Sequence, residues 1–437
     1  MDLLESPIQK LYRSFLVPSL FSAVVTSVYG FVDMIAIGRG IGPKGTAAIS
    51  IATPILGIIS FFGILCGVGG SVYLGKARGE GAVEKSNAYF SASLFLVIVV
   101  TILAWVGFIV FSKPIYQFFG ATENLMPYVQ EYTNCIVWTM PFFILSAYLS
   151  NIVRSDGAPN KVMAAVMIGG VFNIFGDWYF VFPMRWGMFG AAFATVLGMI
   201  IQFTILCSHF LSKNCGLKIV KPFRMLRALR NILFTGFSSS TVSISLSILT
   251  VILNKQVMRY GGETALAVFG VAVTFFLLFQ SLFAGVGQAI QPIVSTNFGA
   301  GFRQRIRQVD KLSLVTAFFM GAVFTLIGEL FPLQTIRLFI DATPEILEIT
   351  PKIFRIYFLS FLLMGVNIQS IYYFQSILKA KLATVLALLR GLLFSGILVY
   401  LLPLLWGLDG VWWGMGIAEF LVAFLLIPLR HTYKKNS

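Results

Sequence analysis

Twelve long apolar stretches limit what this chain can fold into. Each contains at least about 20 residues, the length at which an α-helix crosses roughly 30 Å of hydrocarbon, whereas a strand of an outer-membrane barrel needs only about ten. With 58% hydrophobic residues, 11% charged residues and a mean hydropathy of +0.88, the chain cannot be an ordinary globular protein. We therefore predict an all-α membrane protein with twelve transmembrane helices, at residues 13–38, 47–70, 88–111, 128–152, 162–183, 188–211, 231–254, 265–292, 312–332, 353–377, 383–403 and 409–430.

The distribution of Lys and Arg predicts the orientation of these helices. Loops on the side of the two termini hold 22 of the 32 basic residues, loops on the other side hold 9, and Arg390 lies inside span eleven. Because cytoplasmic loops carry the excess of basic residues, we predict a multi-pass protein of the cell membrane with both termini in the cytoplasm and no cleaved signal peptide. The same loops account for the net charge of +15 without a nucleic-acid partner. The most basic loop, residues 212–230, either reflects topology alone or also binds anionic membrane lipids.

The chain also contains an internal repeat. Glycines recur in matching loops at a nearly constant offset of about half the chain: Gly67 and Gly69 match Gly285 and Gly287, Gly79 matches Gly299, and Gly187 matches Gly407. Six spans per repeat is an even number, so both halves insert with the same orientation and are related by an axis along the membrane normal. We predict an N-terminal six-helix lobe at residues 1–211, a basic cytoplasmic connector at 212–230 and a C-terminal six-helix lobe at 231–437.

Two pseudo-symmetric lobes of this kind are typical of secondary transporters, in which a cavity between the lobes opens alternately to each side. The sequence contains no GxxxxGK[ST] phosphate-binding loop, which an ATP-driven pump would need. An intramembrane enzyme is not expected either, because the only histidines, His209 and His431, do not lie among acids within a span. The four cysteines indicate neither a disulfide framework nor a metal site.

Asp177 is the only residue between positions 163 and 182 whose side chain is charged at neutral pH in water. An ionised carboxylate at that depth costs at least about 3 kcal/mol, so it is normally neutralised, paired or turned toward a polar interior. Asn173 lies one turn earlier on the same helix face, and the helical rise of about 1.5 Å per residue places Asp33 of span one and Thr195 of span six at a similar depth. Carboxylate, amide and hydroxyl oxygens suit Na⁺ or one shared proton. Alternatively, both acids reach outward to water while Asn173 and Thr195 form helix-packing hydrogen bonds.

Several motifs resemble those of the multidrug and toxic compound extrusion (MATE) transporters, and the resemblance extends over the whole chain. They are Pro18 followed fifteen residues later by Asp33, the sequence Arg154-Ser155-Asp156-Gly157-Ala158-Pro159, the set Asn173, Asp177 and Thr195, and Gln291-Pro292 with Asn297-Phe298-Gly299-Ala300-Gly301. The chain looks most similar to the bacterial drug-efflux branch. The resemblance implies a prokaryotic antiporter that exports amphipathic organic cations, such as drugs and dyes, in exchange for H⁺ or Na⁺. It also implies ion coupling through Asp33, Asn173, Asp177 and Thr195 with no other cofactor, and we expect a monomer.

The chain departs from part of that pattern. Some MATE members carry coupling acids in the second lobe, but spans seven and ten of this chain contain no Asp or Glu. The alternative function is a lipid-linked precursor flippase of a related two-lobe fold. Its pyrophosphate cargo would favour a wide cationic cavity, whereas this chain has a single deep Arg.

Two further features concern conformation and packing. Pro18 removes a backbone donor from span one and allows a kink, which is either static or changes when Asp33 is protonated. Arg390 and Glu419 lie roughly 14–17 Å above the cytoplasmic ends of spans eleven and twelve, a depth at which each needs a partner. We predict a structural ion pair between them; the alternative is a role in substrate passage or coupling.

Overall fold

The computed structural model describes residues 2–221, 224–337 and 343–436, and none of these forms a β-strand. In chain order the helices are α1 (Ile8–Gly40), α2 (Pro43–Gly79), α3 (Val83–Val110), α4 (Ser112–Phe118), α5 (Met126–Trp138), α6 (Met140–Ser155), α7 (Pro159–Gly176), α8 (Gly187–Cys207), α9 (Met225–Gly299), α10 (Arg303–Leu330), α11 (Pro332–Arg337), α12 (Pro344–Phe358), α13 (Phe361–Ser376), α14 (Ala380–Leu388), α15 (Phe394–Leu401), α16 (Pro403–Trp406) and α17 (Leu408–Asn436). Two π-helical segments, Asp177–Val181 and Leu389–Leu393, continue α7 and α14, and a 3₁₀ turn, Ser208–Leu211, follows α8.

Ten helical stretches in the described part of the chain are long and apolar enough to cross a membrane, and α5 with α6 forms one further span that bends by 58°. The bend lies at Thr139, directly before α6. Pro141 in the first turn of α6 has no N–H to continue the hydrogen bonding of α5, which accounts for the break.

The long helix α9 contains two spans that meet at Gly262. Gly262 has φ 65° and ψ −163°, a conformation open essentially to glycine alone, so the helix direction changes there. The part of α9 before Gly262 contains the predicted span 231–254 and completes the set of twelve. The side chains of residues 242–244, 246 and 247 in this part lie outside the described residues. Helices therefore lie at all twelve positions where the hydropathy pattern predicts spans.

The chain forms two compact units. The first comprises the chain up to Ser240 with Ser295–Gly301, and the second comprises Thr241–Val294 with the chain from Phe302 onward. In the first unit α2 packs against α3, α5 and α6, while α7 packs against α1 and α8. In the second, α10 packs against α12 and α13, and α17 packs against α12, α13 and α15. Each unit has its own apolar core.

Within the first unit, α2 and the end of α9 cross in backbone contact. A Cβ atom on Gly79 would overlap the carbonyl oxygen of Thr296, and a Cβ atom on Gly299 would overlap that of Lys76. Gly79 and Gly299 are separated by the same number of positions as Lys76 and Thr296, so the two contacts are equivalent under the repeat. Glycine at both positions is what allows the two backbones to approach so closely.

The turns that follow α6 and α13 share a left-handed residue. Gly157 has φ 87°, and Leu378, at the matching position of the second repeat, has φ 61°. The amide N–H groups of both residues donate to equivalent carbonyls, those of Arg154 (3.1 Å) and Gln375 (3.0 Å). A Cβ atom makes this conformation cost roughly 1–2 kcal/mol, so the second repeat carries strain that the first avoids.

The turn after α2 is held by an acidic residue between two lysines. Glu80 lies 2.7 Å from Lys85 Nζ and 3.3 Å from Lys76 Nζ. Partial burial alone would raise the pKa of Glu80, but the hydrogen bonds from Lys85 and Lys76 outweigh it and lower the pKa below its usual value.

The first part of the predicted connector is attached to α3. The backbone N–H of Lys218 donates to Asn87 Oδ1 (3.1 Å), and the N–H of Val220 donates to Ser91 Oγ (2.9 Å). These side chains satisfy backbone donors of a segment that has no regular secondary structure. Residues 222 and 223 of the connector lie outside the described residues.

Candidate ion-coupling site

Glycines bring the two helices that carry Asn173 and Thr195 together. A Cβ atom on Gly169 of α7 would lie 2.6 Å from the carbonyl oxygen of Gly198 in α8, and the reverse distance is also 2.6 Å. Asn173 lies one turn after Gly169, and Thr195 lies one turn before Gly198, so both side chains project into the same seam. Asn173 Nδ2 donates to Thr195 Oγ1 at 3.2 Å.

Asp177 lies at the point where α7 changes from α-helical to π-helical geometry. Its side chain is 0% exposed. A π-helical turn widens the helix locally and is frequent at functional sites. The only carboxylate of this span therefore lies in the π-helical, irregular part of its helix.

Asp33 approaches the same region from α1 and is 7% exposed. Tyr132 of α5, which is 1% exposed, donates its hydroxyl proton to Asp33 Oδ2 at 3.1 Å. The carboxylates of Asp33 and Asp177 are close enough to interact electrostatically, and Tyr132 interacts with Asp177 and Thr195 as well. Four helical spans of the first unit thus contribute to one polar cluster.

The sequence does not assign Tyr132 to this site. A tyrosine in an apolar span is an ordinary packing residue, and no motif or spacing distinguishes Tyr132 from the other tyrosines of the chain. Its role as the hydroxyl donor to Asp33 is visible only in the folded chain.

The cluster has more hydrogen-bond acceptors than donors. Four buried oxygens have no hydrogen-bond partner in the described protein: Asp33 Oδ1, Asn173 Oδ1 and both carboxylate oxygens of Asp177. Among the described residues, neither acid lies within 4.0 Å of a Lys, Arg or His nitrogen. Two buried carboxylates without a basic partner require a proton or a cation, because leaving either one charged and unpaired costs several kcal/mol.

A small cavity adjoins the cluster. It is lined by Asn173 and Thr195 together with Tyr29, Gly169, Gly170, Gly198, Met199 and Gln202, and has a volume of about 20 Å³. That volume accommodates about one water molecule and is far below the roughly 300 Å³ at which drug-sized pockets begin. The space beside Asn173 and Thr195 suits water or a small ion and not an organic substrate.

Pro18 lies buried inside α1, and the helix continues through it. Ser22 Oγ donates to the Pro18 carbonyl oxygen at 2.8 Å. Fifteen residues separate Pro18 from Asp33, which corresponds to roughly 22 Å along the helix axis. Any influence of one on the other must therefore pass through the helix itself.

Arg390 and Glu419 meet in the core of the second unit. Arg390 Nε lies 2.8 Å from Glu419 Oε1 and 3.1 Å from Oε2, and both side chains are 3% exposed. Asn367 Nδ2 donates to Glu419 Oε2 at 2.6 Å and to the Glu419 backbone oxygen at 2.8 Å. Arg390 lies in the second π-helical segment, where the Ser395 hydroxyl donates to its carbonyl oxygen at 2.6 Å. Glu419 therefore has a counter-ion, in contrast to Asp33 and Asp177.

Comparison with known proteins decides the family. The family model MatE matches residues 18–179 and 239–401. This chain belongs to the MatE family. The second matched segment begins about half the chain after the first, as the internal repeat requires. The protein is accordingly a multi-pass membrane transporter with twelve transmembrane helices in two six-helix lobes, and it is not an enzyme.

Individual MatE relatives align over nearly the whole chain. The multidrug export protein MepA of Staphylococcus haemolyticus is 25% identical over 434 residues, which cover 99% of this chain and 95% of that protein. A crystal structure of a MATE protein in complex with MaL6 superposes with a TM-score of 0.92 at 23% identity, covering 100% of this chain and 99% of that one. An outward-facing multidrug resistance MATE transporter of the MOP superfamily gives a TM-score of 0.92 at 22% identity, covering 99% and 97%. At this identity the solved structures establish the fold.

Proposed function

We propose that this MatE protein is an antiporter that exports amphipathic organic cations, including drugs and dyes, across the cell membrane in exchange for H⁺ or Na⁺. Export of drugs is supported by the curated relatives, which are named multidrug export proteins. Antiport is supported by the acceptor-rich cluster of the first unit, whose unpartnered oxygens can bind a small cation.

The observation that carries the proposal is the set of unpartnered oxygens on Asp33, Asp177 and Asn173. Each protonation or Na⁺ binding event at this cluster neutralises charge that the surrounding apolar core cannot solvate. A proton would convert one carboxylate into a donor for a neighbouring oxygen, and Na⁺ would take several of these oxygens as ligands. Both ions fit the oxygen set, so both remain in the proposal.

Coupling then follows from differential affinity. An ion that binds the cluster more tightly in one conformation shifts the transporter toward that conformation, by about 1.4 kcal/mol for each tenfold difference in affinity. Asp33 and Asp177 reach the cluster from α1 and from the end of α7, so ion binding changes the packing between these helices. We propose that this change, transmitted along α1 past Pro18, accompanies substrate release.

The arrangement in the membrane is also part of the proposal. We place the N-terminal lobe at residues 1–211, the connector at 212–230 and the C-terminal lobe at 231–437, with both termini and the connector in the cytoplasm. We expect the transporter to act as a monomer among membrane lipids, and the charge of the basic connector either reflects topology alone or also binds anionic lipid headgroups. Labelling of single cysteines placed at Lys213 and at Glu123 with a membrane-impermeant reagent in intact cells tests the orientation: only the latter should react.

Transport in proteoliposomes tests the function. Dye efflux from vesicles of the purified protein should be driven by a Na⁺ gradient or by a H⁺ gradient, and the effective gradient identifies the coupling ion. Asp33→Asn and Asp177→Asn should each reduce gradient-driven efflux by at least about tenfold, because each removes one of the two charges that bind the ion.

Glu123→Gln is the matched control, because it removes an exposed acid from the same unit and should leave efflux unchanged. If both carboxamide variants retained full gradient-driven efflux while folded, the proposed coupling site would be wrong. If neither gradient drove dye efflux but the vesicles moved a lipid-linked pyrophosphate, the flippase alternative would replace the antiporter.

A further inference from the structure

A second polar cluster lies in the first unit, away from Asp33 and Asp177, where the ends of three helices meet the connector. Its centre is Asp156, whose side chain is 1% exposed, in the turn between α6 and α7. His209 Nε2 in the 3₁₀ turn after α8 lies 2.6 Å from Asp156 Oδ2, and the His209 side chain is 2% exposed. Cys215, a half-buried residue of the connector, completes a group whose three ligand atoms all lie within 4.8 Å of one another.

We propose that Asp156, His209 and Cys215 form a binding site for a thiophilic divalent cation of the Zn²⁺ class, which ties the connector to the ends of α6 and α8.

The three donors are the types that Zn²⁺ prefers: a carboxylate oxygen, an imidazole nitrogen and a thiolate sulfur. With Zn–N and Zn–O bonds of about 2.0–2.2 Å and a Zn–S bond of about 2.3 Å, tetrahedral ligand atoms lie roughly 3.3–3.6 Å apart. The observed separations are 2.6 Å between His209 Nε2 and Asp156 Oδ2 and at most 4.8 Å for pairs that include Cys215 Sγ. Movements of about 1 Å by these side chains would produce a three-ligand site with a fourth position open to water.

The surroundings of Asp156 are organised as those of a metal-bound carboxylate would be. Arg78, at the end of α2, pairs with the other oxygen, Oδ1, and the backbone N–H of Gly216 donates to Oδ2 at 3.1 Å. Outer donors of this kind fix the orientation of a ligating carboxylate. Arg78 also places a positive charge near the site, so we expect the affinity to be lower than that of a closed four-ligand zinc site.

Cys215 is the most exposed of the three ligands. It lies in a turn of the connector, where its N–H donates to the Ser212 carbonyl oxygen at 3.0 Å, and its thiol contacts the Asp156 carboxylate and, at 3.9 Å, the Leu217 carbonyl oxygen. Partial exposure gives a metal ion access from solvent. Closure of Cys215 onto His209 and Asp156 would add a cross-link to the connector beyond its hydrogen bonds to Asn87 and Ser91.

Metal titration of the full-length protein in detergent tests the site. After removal of bound metals with a chelator, Zn²⁺ should bind with one equivalent and raise the thermal unfolding midpoint. Cd²⁺ should produce an ultraviolet thiolate-to-metal charge-transfer band that saturates at one equivalent. Cys215→Ser should abolish the band and weaken Zn²⁺ binding by at least about 100-fold, since the loss of even an outer-shell partner typically costs roughly 10- to 100-fold.

Cys207→Ser is the matched control, because Cys207 ends α8 only two residues before His209 but is not part of the three-ligand group; it should bind both metals as the unchanged protein does. His209→Gln keeps a donor for Asp156, so it separates loss of the ligand from loss of the fold, and its unfolding midpoint without metal checks that it is folded. Absence of stoichiometric Zn²⁺ binding in the unchanged protein, or binding that persists in Cys215→Ser, would overturn the proposal.

A second readout does not depend on affinity. In a variant that retains Cys215 as its single cysteine, one equivalent of Zn²⁺ should slow alkylation of Cys215 by a maleimide, and His209→Gln in that background should remove the protection. An alkylation rate that Zn²⁺ does not change would also count against the site.

Discussion

Removing one partner of the Arg390–Glu419 pair should destabilise the second unit far more than removing both. At 2.8 Å and an effective dielectric constant of about 20, the gross attraction between the two charges is about 6 kcal/mol. Desolvation of two side chains that are each 3% exposed offsets much of this, so the pair as a whole contributes little net stability. A single removal, however, leaves the other charge buried and unpaired.

We therefore expect Arg390→Met and Glu419→Gln each to lower the free energy of unfolding by about 3–5 kcal/mol. The free energy of unfolding should fall less in the double variant than in either single variant, because no buried charge remains and the glutamine still accepts a hydrogen bond from Asn367. The coupling energy of the double-mutant cycle should be about 3 kcal/mol or more.

Denaturant titration of the purified protein in detergent measures these differences. Trp412 is 0% exposed in the core of the second unit, and a background that retains it as the single tryptophan gives a fluorescence signal for that unit. If the unfolding free energies lost by the two single variants sum to the loss of the double variant within about 0.5 kcal/mol, the two residues do not interact. A loss below about 1 kcal/mol in either single variant would refute the inference of a buried, unsolvated pair. Retained ion-driven efflux in the double variant would further exclude a coupling role for the pair.

The remaining predictions concern backbone geometry and one surface acid. Gly79→Ala should lower the free energy of unfolding by about 2–3 kcal/mol, because the added Cβ atom meets backbone across the α2–α9 crossing. The control Gly57→Ala lies in the same helix, where the added Cβ atom meets no atom within 4 Å, and should be neutral or stabilising by up to about 1 kcal/mol. Thermal unfolding midpoints distinguish the two variants. Leu378→Gly should raise the free energy of unfolding by up to about 1 kcal/mol by relieving its left-handed strain, while Gly157→Ala should lower it by about 1 kcal/mol without any steric clash; changes of the opposite sign would contradict this. Because its folded-state pKa is lowered, Glu80 stabilises the protein above its unfolded pKa, and the contribution disappears as the pH falls through the lower folded value. Glu80→Gln should therefore be less stable than the unchanged protein by at most about 1 kcal/mol at pH 6, and this difference in unfolding free energy should disappear once the pH lies below the folded-state pKa of Glu80.

The architecture could be predicted from the sequence because a bilayer allows few solutions. Backbone groups in hydrocarbon must be satisfied within the segment, so each apolar stretch of about 20 residues has to form a helix. The glycine pattern at a nearly constant offset likewise predicted the repeat, which the two matches of the family model confirm. The sequence does not locate the bend at Thr139. Pro141 follows it, but a proline does not always break a helix in this chain, since Pro18 lies within the continuous helix α1.

The site was only partly predictable. The rise per residue of a helix gives the depth of a residue in the membrane, and it places Asp33, Asn173, Asp177 and Thr195 at a similar depth. Sequence position gives nothing directly beyond this depth. The rotation of each helix and its distance from its neighbours depend on packing, here on the contact of Gly169 with Gly198. This packing is what places the Asn173 amide within hydrogen-bond distance of Thr195.

The sequence by itself determined the helical class, the twelve spans, the repeat and the presence of acids that need a counter-charge, because these depend on composition and on distance along a helix. Only the tertiary structure decided which groups meet. It placed the Tyr132 hydroxyl on Asp33, paired Arg390 with Glu419, and gathered Asp156, His209 and Cys215 from separate segments. Each of these contacts joins residues far apart in the chain or across a turn, and its geometry is set by the packing of whole helices against one another.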